Sequence, residues 1–150
     1  MADRRNRLQD DTPLADCPPT RARASRSQTS PGYRVTARSL ALCRRMGWLA
    51  QKVEHWNPWA KRRQDLFGFA DILAIVPGQS GCLLIQVTAQ YHAQQRQQKI
   101  LQFEKQLRII LEAGNQVQVW CWNRQKRTWQ LKRYQLRLTD QGLAFFPFPT

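Results

Sequence analysis

From Val35 to Leu49 the apolar residues Val35, Leu42, Met46 and Leu49 recur at helical spacing, with Arg38, Arg44 and Arg45 elsewhere on the wheel and Gly47 near the end. This spacing predicts an amphipathic helix of about four turns. Leu49 to Trp56 reads as a short strand, and Asn57 to Gln64, with Pro58 and the run Lys61, Arg62, Arg63, as a loop. A β-branched apolar strand is expected from Asp71 to Val76, closed by the turn signal Pro77-Gly78-Gln79-Ser80-Gly81, with Cys82 to Thr88 as its hairpin partner. Ala89 to Ala113 gathers Ile100, Phe103, Leu107, Ile110 and Leu111 on one face against a glutamine-rich basic face, which predicts a second helix stopped by Gly114. Val117, Val119 and Cys121 alternate with Gln118, Trp120 and Trp122, the pattern of a strand. Asn123 to Arg127 is then its turn, and Thr128 to Leu138 the strand that follows. The elements predict an α/β domain, and no internal repeat is visible.

The first 32 residues break this patterning. They contain Pro13, Pro18, Pro19 and Pro31 and a Ser-, Thr- and Arg-rich run from Thr20 to Ser30. Residues 1–32 are therefore expected to form a disordered basic arm, and 33–150 the folded domain. At 150 residues and 42% apolar, the chain is one domain long and can bury a core. Its apolar runs, such as Cys82 to Ile85, fall far short of the roughly 20 residues that span a bilayer, so no membrane partner is expected. The start, MADRRNRLQDD, mixes charges and has no apolar h-region, which points to a cytoplasmic protein. Cys17, Cys43, Cys82 and Cys121 lie 26, 39 and 39 positions apart, without the spacing of a zinc or redox motif. Three of them fall inside apolar patterns, where cysteine acts as a small hydrophobe.

Charge adds the first functional constraint. The chain carries 24 Lys and Arg against 10 Asp and Glu, a net +14, and the arm accounts for only six of those bases and four of those acids. The ordered part keeps 18 basic against six acidic residues. Such an excess favours polyanions, nucleic acid ahead of acidic membrane, because neutralising phosphates releases counterions. Against this background Glu54, Asp65 and Asp71 stand out by falling within 18 residues. Asp71 opens an apolar strand, where a carboxylate without a partner is costly. It either caps the strand, pairs with Arg62 or Arg63, or belongs to a site. In the following strand Leu84, Gln86 and Thr88 share one face and Leu83, Ile85 and Val87 the other. If the strands are adjacent, a carboxylate, an amide oxygen and a backbone carbonyl converge, donors that suit a hard ion such as Mg²⁺.

The sequence Asp65-Leu66-Phe67-Gly68-Phe69-Ala70-Asp71, followed by a tight turn, Ile85-Gln86-Val87-Thr88 and a helix, resembles the PD-(D/E)XK nuclease superfamily. The likeness covers residue 35 to about residue 123, and is greatest to small phage and prophage nuclease-like and Holliday-junction-resolvase-like proteins. It implies a restriction-endonuclease-like mixed β-sheet of about five strands flanked by two main helices. It also implies a bacterial or phage-infected cell as the setting, and leaves a homodimer open, since many such enzymes cut two strands. Carried over, Asp71 takes the place of the metal-binding aspartate, Gln86 that of the second acidic ligand, Val87 contributes a carbonyl, and Glu54 is an additional carboxylate. Thr88 stands where the motif has lysine. That lysine positions or activates water beside the metal; Lys52, Arg96 and Lys99 are candidates to replace it, with Lys99 preferred.

The remaining cations fit a nucleic-acid surface. Lys61, Arg62 and Arg63 lie near the site, and Arg124, Lys126 and Arg127 form a second basic turn. Trp56 and Trp59 adjoin the first group and have faces that stack on unpaired bases, whereas Trp120, Trp122 and Trp129 are expected in the core. His55 and His92 are lone histidines without ligand spacing and receive no assigned role, although His55 adjoins Glu54 in sequence. The leading expectation is a Mg²⁺- or Mn²⁺-dependent endonuclease acting on double-stranded or branched DNA. A non-catalytic DNA-binding protein on the same fold, and a basic interaction protein with structural carboxylates, are the alternatives.

Overall fold

In the computed structural model, which describes residues 30–149, the first described element is helix α1 (Pro31–Arg45). The expected arm lies outside the described residues up to residue 29, while Pro31 and Gly32 belong to the helix instead. Proline suits the first helical position because its missing N–H has no partner there, and the Ser30 hydroxyl accepts the Tyr33 N–H at 3.3 Å. The inward face also differs from the expected one. Val35, Thr36, Ser39 and Cys43 are buried, while Met46 and Leu49 lie exposed beyond the helix end. A polar residue holds this core position because Ser39 donates to the Val35 carbonyl at 2.9 Å and accepts the Trp122 indole N–H at 2.8 Å.

Strands β1 (Leu49–Lys52), β4 (Ile72–Ile75), β5 (Leu83–Ala89), β6 (Gln116–Gln125), β7 (Thr128–Thr139) and β8 (Gly142–Phe148) form one sheet in the order β1-β4-β5-β6-β7-β8. Only the β5–β6 pair is parallel. The chain returns between those two strands through a 3₁₀ turn at Gln90–His92, α2 (Ala93–Leu101) and α3 (Glu104–Glu112). The sheet thus has six strands rather than about five. The extra one, β8, carries Pro147 and is an edge strand, where a missing donor is tolerated.

Two further expectations are corrected. The stretch from Leu49 to Trp56 is not one strand: β1 ends at Lys52, and β2 (His55–Asn57) pairs with β3 (Arg62–Gln64) in a separate hairpin that includes part of the expected loop. The helix predicted from Ala89 to Ala113 is broken at Gln102 and Phe103. The break brings Phe103 against Phe69, with ring centroids 6.1 Å apart. Gly114 stops α3 as expected, with its N–H on the Leu111 carbonyl and that of Asn115 on Ile110.

The sheet separates two apolar layers. Leu84, Val117, Val119 and Cys121 pack with Ile100, Leu107 and Ile110 of α2 and α3. Leu83, Ile85, Val87, Trp120 and Trp122 pack with Val35 and Cys43 of α1, and Trp129 is partly buried against them. The alternation read from β5 and β6 is therefore the one observed. Burial pushes the Cys43 thiol up to about 11 and that of Cys121 to about 12, as befits unreactive core cysteines. Among the described residues no helix is long and apolar enough to cross a membrane.

Candidate metal centre

Asp71 sits just before β4, opposite the C-terminal half of β5. Its N–H donates to the Ile85 carbonyl at 3.0 Å, and its own carbonyl accepts from Val53 at 2.9 Å. The preceding segment is folded onto itself by hydrogen bonds from Gly68 to Asp65 and from Ala70 to Leu66. Gly68 adopts φ +82°, and a methyl group there would come within 3.0 Å of the Phe103 ring, so both conformation and space call for glycine. This turn sets Asp65 close enough for its charge to act on Asp71, and Phe69 and Ala70 within it are buried.

The Asp71 carboxylate is buried and reaches β5 directly. Its Oδ2 accepts the Val87 N–H at 2.8 Å and the Gln86 amide at 2.6 Å, and the same amide nitrogen lies 3.3 Å from the Val87 carbonyl oxygen. The sequence-predicted trio of Asp71, Gln86 and Val87 is thus in mutual contact, and neither Arg62 nor Arg63 pairs with Asp71. The Gln86 NH₂ group donates into two converging oxygens, an environment that also attracts a cation. Rotating that amide by half a turn would present its oxygen instead, giving three oxygen donors of the kind a hard divalent ion takes. Among the described residues no three His, Cys, Asp or Glu side chains assemble into an ion site, so the amide and the carbonyl are essential to this reading.

Electrostatics tie further residues to the trio. Burial raises the Asp71 carboxyl from 3.8 to about 7; the Val87 N–H and Arg96 oppose the rise, and the charges of Asp65 and Glu54 add to it. Burial raises Asp65 too, helped by Glu54 and opposed by Lys99, Arg96 and Lys52. Glu54 behaves differently. Burial pushes it up, yet hydrogen bonds and charge from Lys52 and Arg63, each 3.0 Å away, hold it below the usual carboxylate range. Glu54 therefore acts here as an anchor between two cations rather than as an open ligand. Asp65, to which the sequence reading gave no role, is the carboxylate placed amid Arg96, Lys99 and Lys52. Its place among the six acids of residues 33–150 was the signal that marked it.

Two cation-bearing grooves lie nearby; Val87 lines the first, and neither is lined by Asp71 or Gln86. One, of about 580 Å³, is lined by Val87, Thr88, Arg96 and Arg124 together with Arg34 and the start of α1. The other, of about 550 Å³, is lined by His55, Arg62, Arg63, Asp65 and Lys99. Thr88 is buried at the site. Arg96 and Lys99 thus lie one in each groove, while Lys52 is engaged by Glu54. Of the other expected contacts, Lys61 is exposed at the end of the β2–β3 hairpin, and Lys126 and Arg127 form the exposed β6–β7 turn. The chain matches no protein-family model, no curated protein and no solved structure.

Proposed function

We propose that this protein is a divalent-metal-dependent DNA endonuclease with a restriction-endonuclease-like fold and a variant D…QxT centre. The observation that carries the reading is the convergence of the Asp71 carboxylate, the Gln86 amide and the Val87 carbonyl at one buried point, with Val87 also lining a groove that carries Arg96 and Arg124. A helix, antiparallel strands carrying the aspartate, and a helical crossover to a parallel strand also suit that fold.

Asp71, Gln86 and Val87 would hold Mg²⁺ or Mn²⁺. Such an ion supplies charge neutralisation at the phosphate and a more acidic bound water. The protein's own groups do the rest. Arg96 and Lys99 draw the scissile phosphate toward the trio from either groove and balance the charge that develops on it, the work assigned to the missing motif lysine. Arg62 and Arg124 contact flanking phosphates and fix the register of the strand. Glu54, clamped by Lys52 and Arg63, holds the β2–β3 hairpin beside the centre.

The saturation of Glu54 and the threonine at position 88 favour one second reading, a DNA-binding protein without hydrolytic activity. Incubation with supercoiled, linear and branched DNA, with Mg²⁺, Mn²⁺ or a chelator, separates the two. Metal-dependent nicking or cutting is expected. Salt-sensitive binding without cleavage on every substrate would replace the enzyme with the binding protein, and absence of binding at low salt would remove both.

A further inference from the structure

The β2–β3 hairpin presents an aromatic surface that the fold does not use. Trp59 is 94% exposed and Trp56 59% exposed, although indole rings normally contribute to stability by burial. The tip is built rather than loose. The Asn57 side-chain oxygen accepts the N–H groups of both Trp59 and Ala60 at 3.0 Å, and Lys61 closes the turn at φ 47°. Trp56 pairs with Arg63 across the hairpin, and Arg63 reaches back to Glu54 at 3.0 Å. Two exposed rings therefore share the hairpin with Lys61, Arg62 and Arg63, and Arg62 and Arg63 line the groove that also takes in Asp65 and Lys99.

Cations alone suffice to hold duplex phosphates. In a duplex the base faces are stacked on each other, so an indole face gains little from paired DNA. Unstacked bases offer the complementary surface, and aromatic side chains among cations are how sequence-tolerant binders of single strands hold them. We propose that the β2–β3 hairpin reads unpaired DNA. Trp59, supported by Trp56, stacks on bases exposed at a fork, gap or junction, while Lys61 and Arg62 hold the adjoining phosphates. The inference rests on the nuclease reading and narrows its substrate to DNA containing unpaired bases next to the scissile strand.

The test is binding of the full chain, in chelator, to a fork and to a linear duplex of equal length, each carrying 2-aminopurine at the junction or its paired equivalent. Trp59→Ala is expected to weaken fork binding about tenfold, in line with the loss of one stacked base, and to change duplex binding less than about twofold. Trp59→Phe should retain most of the preference. The 2-aminopurine emission of the fork should change on binding the native protein and not on binding Trp59→Ala. Equal effects of Trp59→Ala on both DNAs, no effect on either, or an emission change that survives the substitution would overturn the proposal. Because no metal is present, these outcomes are independent of cleavage. A protein that prefers forks yet cuts nothing counts against the nuclease alone, and one that cuts duplex and fork equally, with no Trp59 dependence, counts against the hairpin alone.

Discussion

Replacing Asp71 by Asn removes a charge and almost no volume. Both the Val87 N–H and the Gln86 amide donate to Oδ2, so an Asn oxygen in that place can keep the hydrogen bonds at 2.8 and 2.6 Å. Removal of the charge carries the effect. The folded protein holds the Asp71 proton until about pH 7, against 3.8 for an unperturbed aspartate, a difference on the order of 4 kcal/mol. Because the folded value is raised, the contribution of Asp71 to stability is complete below about pH 4 and is lost as pH rises through about 7. Asp65 and Glu54 add to the loss, and Arg96 offsets part of it. Asp71→Asn should therefore match the native protein at pH 4 and exceed it by roughly 2–4 kcal/mol at pH 8. At about 4 °C per kcal/mol for a domain of this size, that is roughly 8–16 °C in Tm. Thermal unfolding followed by circular dichroism in chelator, from pH 4 to 8, measures this directly. Mg²⁺ should narrow the gap by stabilising the native protein alone. A variant less stable than native at pH 8, or a gap independent of pH, would refute the account of Asp71 as an ionisable group held against its burial.

The other predictions concern the same centre and its surroundings. Gln86→Glu sets a second carboxylate against Asp71. It should destabilise the metal-free protein at pH 8 while tightening Mn²⁺ binding by about tenfold in calorimetric titration, and unchanged Mn²⁺ affinity would place the ion elsewhere. Arg124→Ala should weaken DNA binding across sequences and lower the slope of log affinity against log salt by about 1, read by fluorescence anisotropy; an unchanged slope removes Arg124 from the interface. Gly81→Ala places a methyl group into the Gly114 carbonyl at φ +74° and should cost roughly 3 kcal/mol or more in urea unfolding. A near-neutral result would show that the β4–β5 turn moves freely away from the end of α3.

The central strands were legible because their chemistry is local. Alternation in Cys82 to Thr88 and Val117 to Trp122 assigned each side chain to the layer where it packs, and Asp71 was conspicuous as a carboxylate at the head of an apolar strand. The errors arose where tertiary partners override local pattern. Ser39 is a core residue because Trp122, 83 positions away, donates to it, and no helical wheel reveals that. The helix after β5 breaks so that Phe103 meets Phe69 and Gly68, contacts that periodicity alone does not encode. Strand β8 was masked by Pro147, which only an edge position permits. At the site, proximity of Asp71 and Gln86 followed from strand order, but the capture of Glu54 by Lys52 and Arg63 depends on a hairpin whose Pro58 and basic run resemble a loop.

The central claim is that Asp71, with Gln86 and Val87, is the metal centre of a DNA hydrolase. Asp71→Asn tests it because the variant is expected to be folded and more stable than the native protein, so lost activity cannot be attributed to unfolding. Both proteins are brought to equal DNA occupancy, shown by anisotropy, and cleavage of supercoiled and forked DNA is followed on addition of Mn²⁺. The native protein should convert supercoiled DNA to nicked or linear forms while Asp71→Asn leaves it intact. Cleavage by Asp71→Asn at the native rate would contradict the claim.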